Sequence, residues 1–133
     1  MNFCSYDKKL IITSELIAKY SNHDLLHPQH YLVIELMHSL AITYSSMARL
    51  TRPQQERKVQ LCHQVLKVLG VVDPGFTTWR GKLLHEMAST LLLISRADYG
   101  EGRIREILFK KRLFFCMRTL ATAKKCQVNT NDT

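Results

Sequence analysis

Proline interrupts this chain at only three places, Pro28, Pro53 and Pro74, and between these breaks apolar residues recur at three- and four-residue steps. That spacing is the mark of helices that each bury one face. Only five glycines accompany the three prolines among 133 residues, whereas sandwiches and barrels need turn residues roughly every eight to twelve positions. The expected fold is therefore all-α, about five helices in antiparallel helical hairpins, a short helical-repeat array in architecture. The length suits one core. Residues 1–126 are expected to form a single helical domain, and 127–133, QVNTNDT, a disordered tail.

The helices can be placed one by one. Leu10, Ile11, Ser14, Ile17 and Ala18 suggest a first helix over residues 8–20, and His27-Pro28 breaks it, because the residue before a proline is pushed out of the α region. Val33, Leu36, Met37, Leu40, Ala41, Tyr44 and Met47 form the face of a second. Thr51-Arg52-Pro53 offers a capping hydroxyl and a proline in the first turn of a third, whose stripe is Val59, Cys62, Val65, Leu66 and Leu69. Gly70 is expected to be its left-handed end, followed by a turn at Val71-Val72-Asp73-Pro74-Gly75. Trp79 to Ile94 trace a fourth helix that ends at Asp98-Tyr99-Gly100. Residues 104–123 make a fifth, apolar nearly all round and so expected to be flanked on several sides. The expected core is Leu36, Leu40, Tyr44, Cys62, Leu66, Leu69, Trp79, Leu84, Met87, Leu91, Ile104, Leu108 and Phe115.

Composition bounds the function. The charge of +8 draws acidic partners on approach, whether nucleic acid, an acidic protein or anionic lipid. Cys4, Cys62, Cys116 and Cys126 are widely spaced, and two of them fall in apolar helical patterns, so they read as reduced, buried thiols. The start of the chain has no basic leader with a continuous apolar run, and the longest apolar run, Leu91 to Ile94, is far short of a membrane span. The expected place is intracellular, cytoplasmic or nuclear, with no membrane partner.

Few residues form a pattern that could carry chemistry. His23, His27, His30 and His38 are the metal candidates, the first three at H-x3-H-x2-H spacing, but Pro28 prevents one continuous helical turn through those three, and capping or solvated loop histidines are the alternative. Cys62-His63 are sequence neighbours, and consecutive helical side chains point about 100° apart, which does not make a thiolate–imidazole pair. No Gly-rich phosphate loop or nucleophile elbow is present. No catalytic, cofactor-binding or metal residue is assigned, and no cofactor is expected. What stands out is a basic arc, Arg103, Lys110, Lys111, Arg118 and Lys125, within about 100° of a helical wheel. It reads either as a solvated face, with long basic side chains lying over Ile107, Phe114 and Ala121, or as an anion-binding surface. Arg80-Gly81 marks a point of close helix packing or a tolerated exposed glycine.

One set of segments is more specific. His27-Pro28-x-His30-Tyr31, Glu56-Arg57-Lys58-Val59-Gln60-Leu61-Cys62, Leu66-x-Val68-Leu69-Gly70-Val71-Val72-Asp73-Pro74-Gly75 and Arg80-Gly81-x-Leu83-Leu84-His85-Glu86 resemble the C-terminal helical region of arthropod Smyd-type proteins. Those are relatives of the SET and MYND domain lysine methyltransferases, and the resemblance spans residues 25–126. It implies a tetratricopeptide-like helical layer that packs against a SET domain. The methyl donor, zinc and catalytic residues of that family belong to other parts, whose motifs these residues do not contain. The implied role is a non-catalytic protein-interaction domain, in a truncated or fragmentary family member, with a protein or the missing SET domain as partner. The reading from charge alone is an autonomous basic module for nucleic acid or an acidic protein.

Overall fold

A computed structural model describes residues 3–21, 26–47, 49–72, 75 and 77–131. Among them are five α-helices and no strand: α1 (Phe3–Tyr20), α2 (Tyr31–Ser45), α3 (Arg52–Val72), α4 (Thr78–Gly100) and α5 (Glu106–Asn131). The fold is all-α and built from helical hairpins, as the spacing of apolar residues requires. The chain divides into two compact units, Met1–Val68 and Leu69–Thr133, with the boundary inside α3.

In the first unit α1 packs on α2. The buried stripe of α1 is Leu10, Thr13 and Ile17, while Ile11 is exposed. His30 caps α2, its Nδ1 accepting the Leu32 N–H at 3.2 Å. The face that α2 buries is Val33, Ile34, Met37, Leu40, Ala41 and Tyr44, with Leu36 half-buried. Thr51 and Gln54 then form a reciprocal cap on α3. The Gln54 N–H donates to the Thr51 hydroxyl (3.4 Å), and the Thr51 N–H donates to Gln54 Oε1 (3.0 Å). Leu61, Cys62 and Val65 are its sealed positions within this unit.

The end of α3 departs from expectation. Gly70 stays helical and the helix continues to Val72, leaving Val71 and Val72 exposed ahead of Asp73-Pro74. Positive φ occurs instead at Gly75 and Gly102.

In the second unit α4 and α5 form an antiparallel pair. Thr77 caps α4 by accepting the Arg80 N–H at 3.3 Å. Its other end closes in a Schellman motif: Gly102 has φ +74°, its N–H donates to Tyr99 O (3.1 Å), and the Arg103 N–H reaches back to Asp98 O (2.8 Å). The seam is anchored at both ends. Near its start α4 presents Gly81, where a Cβ would lie 2.5 Å from Cys126 Cβ and 3.2 Å from Ala123 O. At the other end Asp98 meets Arg112, and Tyr99 stacks on Phe109 with ring centroids 4.5 Å apart. Gly81 thus marks close packing. Its seven-residue spacing with the buried Ala88 and Ser95 puts small residues along the seam of α4, which lets two helix backbones approach.

Two further expectations are corrected. Leu108 and Phe115, expected in the core, are exposed. Residues 127–131, expected in a disordered tail, continue α5 to Asn131, since no glycine or proline follows Gly102 to stop the helix.

Candidate interaction surface on the last helix

The two sides of α5 differ in kind. Cys116, Thr119, Ala123 and Cys126 are buried at three- and four-residue steps, with Leu113 and Leu120 half-buried beside them. The opposite side carries the large apolar residues: Ile107 is 71% exposed, Phe114 64% and Met117 63%, and Phe115 and Leu108 are exposed next to them. The helix, apolar nearly all round, is buried on one side and exposed on the other among the described residues. Contiguous exposed apolar residues of this size are a feature of interaction surfaces.

The basic residues separate into groups. Arg103 is not on the helix, because α5 begins at Glu106; its guanidinium sits 2.7 Å from Glu101 and 3.7 Å from Asp98 in the preceding turn. Lys110 pairs with Glu106 one turn back at 2.9 Å, an exposed pair whose charges are largely solvated. Lys111, Arg118 and Lys125 are exposed and stand at seven-residue intervals, so they form one row along the helix. Arg118 lies over the Phe114 ring, 5.9 Å from its centroid, a cation–π contact that fixes the ring beside the basic row. Parallel to this row run Ile107, Phe114 and Ala121, and beyond them Lys110, Met117 and Lys124. The result is a narrow apolar row with basic rows on both flanks. Seven-residue repetition was visible in the basic residues alone; the missing signal was that the fully buried positions of α5 are small residues, Cys116, Thr119, Ala123 and Cys126, and not its largest ones.

The other candidate residues do not converge. His23 lies outside the described residues. His27 Nδ1 accepts the Gln29 N–H at 3.1 Å, and His30 caps α2, so both act within the local backbone. Cys62 is buried and His63 exposed, as their angular separation on a helix demands. Among the described residues no three His, Cys, Asp or Glu side chains gather as metal ligands would. Cys116 is a buried thiol whose pKa is raised by desolvation, since burial penalises the charged thiolate. A groove of about 570 Å³ in the first unit is lined by Leu16, Tyr20, Leu26, Leu32, Glu35, Leu36 and Ser39, with Glu35 the one carboxylate among its described lining residues. No described helix is long and apolar enough to cross a membrane. Compared with protein families, with curated proteins and with solved structures, the chain matches none.

Proposed function

We propose that this chain is a non-catalytic helical protein-interaction domain and that the outer side of α5 is its docking surface. The observation that carries this reading is the exposure of Ile107, Phe114 and Met117 on a helix whose opposite side is closed by small residues. Large apolar side chains left in water on a rigid helix are suited to burial against a partner, where such residues supply most of the binding energy. The resemblance to the helical region of Smyd-type proteins supports the same role. A helical layer of that kind works by packing against another domain, and no methyl transfer is expected from these residues alone.

The test compares the chain with Ile107→Ser/Phe114→Ser in affinity capture, with circular dichroism as the check on folding. The proposal expects proteins held by the parent chain and lost by the double variant at unchanged helicity. Equal capture by both rules out this surface. Transfer of methyl groups from S-adenosylmethionine to lysine peptides by the purified chain contradicts the non-catalytic reading.

The row Lys111, Arg118 and Lys125 favours a second reading, a basic module that follows a phosphate backbone. It ranks below the first because phosphate contacts give no use to the apolar row between the lysines. Binding to nucleic acid that falls steeply with salt, and is unchanged in Ile107→Ser/Phe114→Ser, would reverse the order.

A further inference from the structure

The geometry of α5 points to one kind of partner: we infer that its outer side receives an acidic amphipathic helix lying along it. This rests on the docking role proposed above and names the chemistry of the occupant. Three rows on α5 repeat every seven residues, Ile107–Phe114–Ala121 at the centre, Lys110–Met117–Lys124 on one flank and Lys111–Arg118–Lys125 on the other. A seven-residue repeat keeps a seam facing a second helix over its whole length, whereas an extended peptide or a globular contact has no need of it. From Ile107 to Lys125 the seam is about 27 Å long at 1.5 Å per residue, between two and three heptads of a partner.

Charge then selects among the helices that could lie there. The central row is apolar, and five of the six flanking positions are basic, Met117 being the exception. Glu106, the carboxylate that α5 itself carries, is paired with Lys110. A partner with apolar residues facing Ile107, Phe114 and Ala121 and carboxylates on both sides meets opposite charge at every turn. A second copy of this chain docked through the same surface would set Lys111, Arg118 and Lys125 against basic rows of their own kind, which opposes pairing. A bilayer needs a wide apolar stripe to enter the acyl boundary, and here Lys111 and Arg118 stand between the Ile107–Phe114 row and the exposed Leu108 and Phe115, and Met117 lies between Lys110 and Lys124, so the apolar side chains form no continuous stripe.

The experiment uses the full chain and a fluorescent three-heptad peptide with Leu at the seam positions and Glu on both flanks, read by anisotropy. The glutamates keep the free peptide from pairing with itself at neutral pH. Binding is expected at low salt and should weaken severalfold as ionic strength rises about tenfold, because exposed flanking charges are screened. Ile107→Ser/Phe114→Ser should weaken it by about tenfold or more, a loss set by two apolar side chains removed from the seam. Lys111→Glu/Arg118→Glu/Lys125→Glu should abolish binding of the Glu peptide and create binding of a peptide with the same Leu seam, Lys on the flank facing the new glutamates and Glu on the flank facing Lys110 and Lys124, a swap that a collapsed fold would not produce. Equal binding of a scrambled peptide of the same composition overturns the inference, since charge alone is then being read. So does tighter binding to single-stranded DNA or to phosphatidylserine vesicles, or self-association of the chain that Phe114→Ser abolishes. Partner capture that depends on Ile107 and Phe114, with no binding of the Glu peptide, overturns this inference and leaves the docking role standing. Loss of both removes both.

Discussion

The inner and outer sides of α5 invert the usual expectation for a helix. Inside are Cys116, Thr119, Ala123 and Cys126; outside are Ile107, Leu108, Phe114, Phe115 and Met117. A large side chain pushes helix axes apart, and a small one lets backbones meet. The seam with α4 is of the second kind, with Gly81 set directly against Cys126 and Ala123. Burial on this helix is therefore decided by fit, and hydrophobicity is left over for the outer side. The difference separates structural work from binding work on one element, so changes on the two sides should have opposite consequences.

Gly81→Ala is the strongest way to break that division. Alanine raises helix propensity by about 1 kcal/mol over glycine, but its Cβ would stand 2.5 Å from Cys126 Cβ and 3.2 Å from a backbone carbonyl. Overpacking of a tight core costs about 1 to 3 kcal/mol and more when backbone must move, so a net loss of about 2 kcal/mol is expected in urea unfolding. A rise in stability would mean that the seam is loose and that small residues there are incidental. Next in size is Asp98→Ala at the other anchor. The Asp98 carboxylate is nearly buried between Arg112 at 3.2 Å and Arg103 at 3.7 Å. Both arginines are themselves substantially exposed, so screening limits the expected loss to about 1 to 2 kcal/mol. An unchanged unfolding midpoint would show that the pair adds nothing to the hairpin.

What the sequence made legible follows the same physics. Helix positions came from breaks and periodicity: Pro28 and Pro53 precede or open helices, and Thr51 caps α3 as a hydroxyl there should. Gly70 misled because a glycine near the end of an apolar stripe fits a left-handed cap, yet α3 runs two residues further, to Val72. The glycine that does cap is Gly102, whose turn is closed by its own N–H to Tyr99 O and by the Arg103 N–H to Asp98 O, bonds that spacing does not announce. Leu40, Tyr44, Cys62, Leu69 and Met87 are buried as expected. Leu108 and Phe115 were misplaced because size and hydrophobicity were weighed where close approach governed. The basic residues of the candidate surface were visible, but the start of α5 at Glu106 removes Arg103 from the row.

A thiol inside the seam offers a finer probe. Burial pushes the Cys116 thiol up from its ordinary pKa, so the folded state holds the proton more tightly than the unfolded chain. Its contribution to stability is complete below the unfolded pKa and is lost as pH rises through the raised folded value. Between about pH 8 and pH 10, spanning the ordinary thiol pKa, the parent chain should lose more stability than Cys116→Ala. Alkylation of Cys116 by iodoacetamide should be slow in the native chain and fast in urea. Equal rates in both would place this thiol in water and dissolve the contrast between the two sides of α5.

The smallest effect on stability is expected where the largest effect on binding is. Phe114 is more than half exposed, and its ring lies under the Arg118 guanidinium, a contact that contributes about 0.5 to 1 kcal/mol at an exposed site. Phe114→Ser gives up that contact and some helix propensity, yet removes no core packing, so its unfolding midpoint should stay within about 1 kcal/mol of the parent. Met117→Ser, with no ring to lose, should fall within about 0.5 kcal/mol. If either change destabilises the chain as Gly81→Ala does, the outer side of α5 is already packed against something, and its apolar row is core. If stability holds while affinity for a Glu-flanked helix drops, the same helix is shown to close the fold with its small residues and to reach for a partner with its large ones.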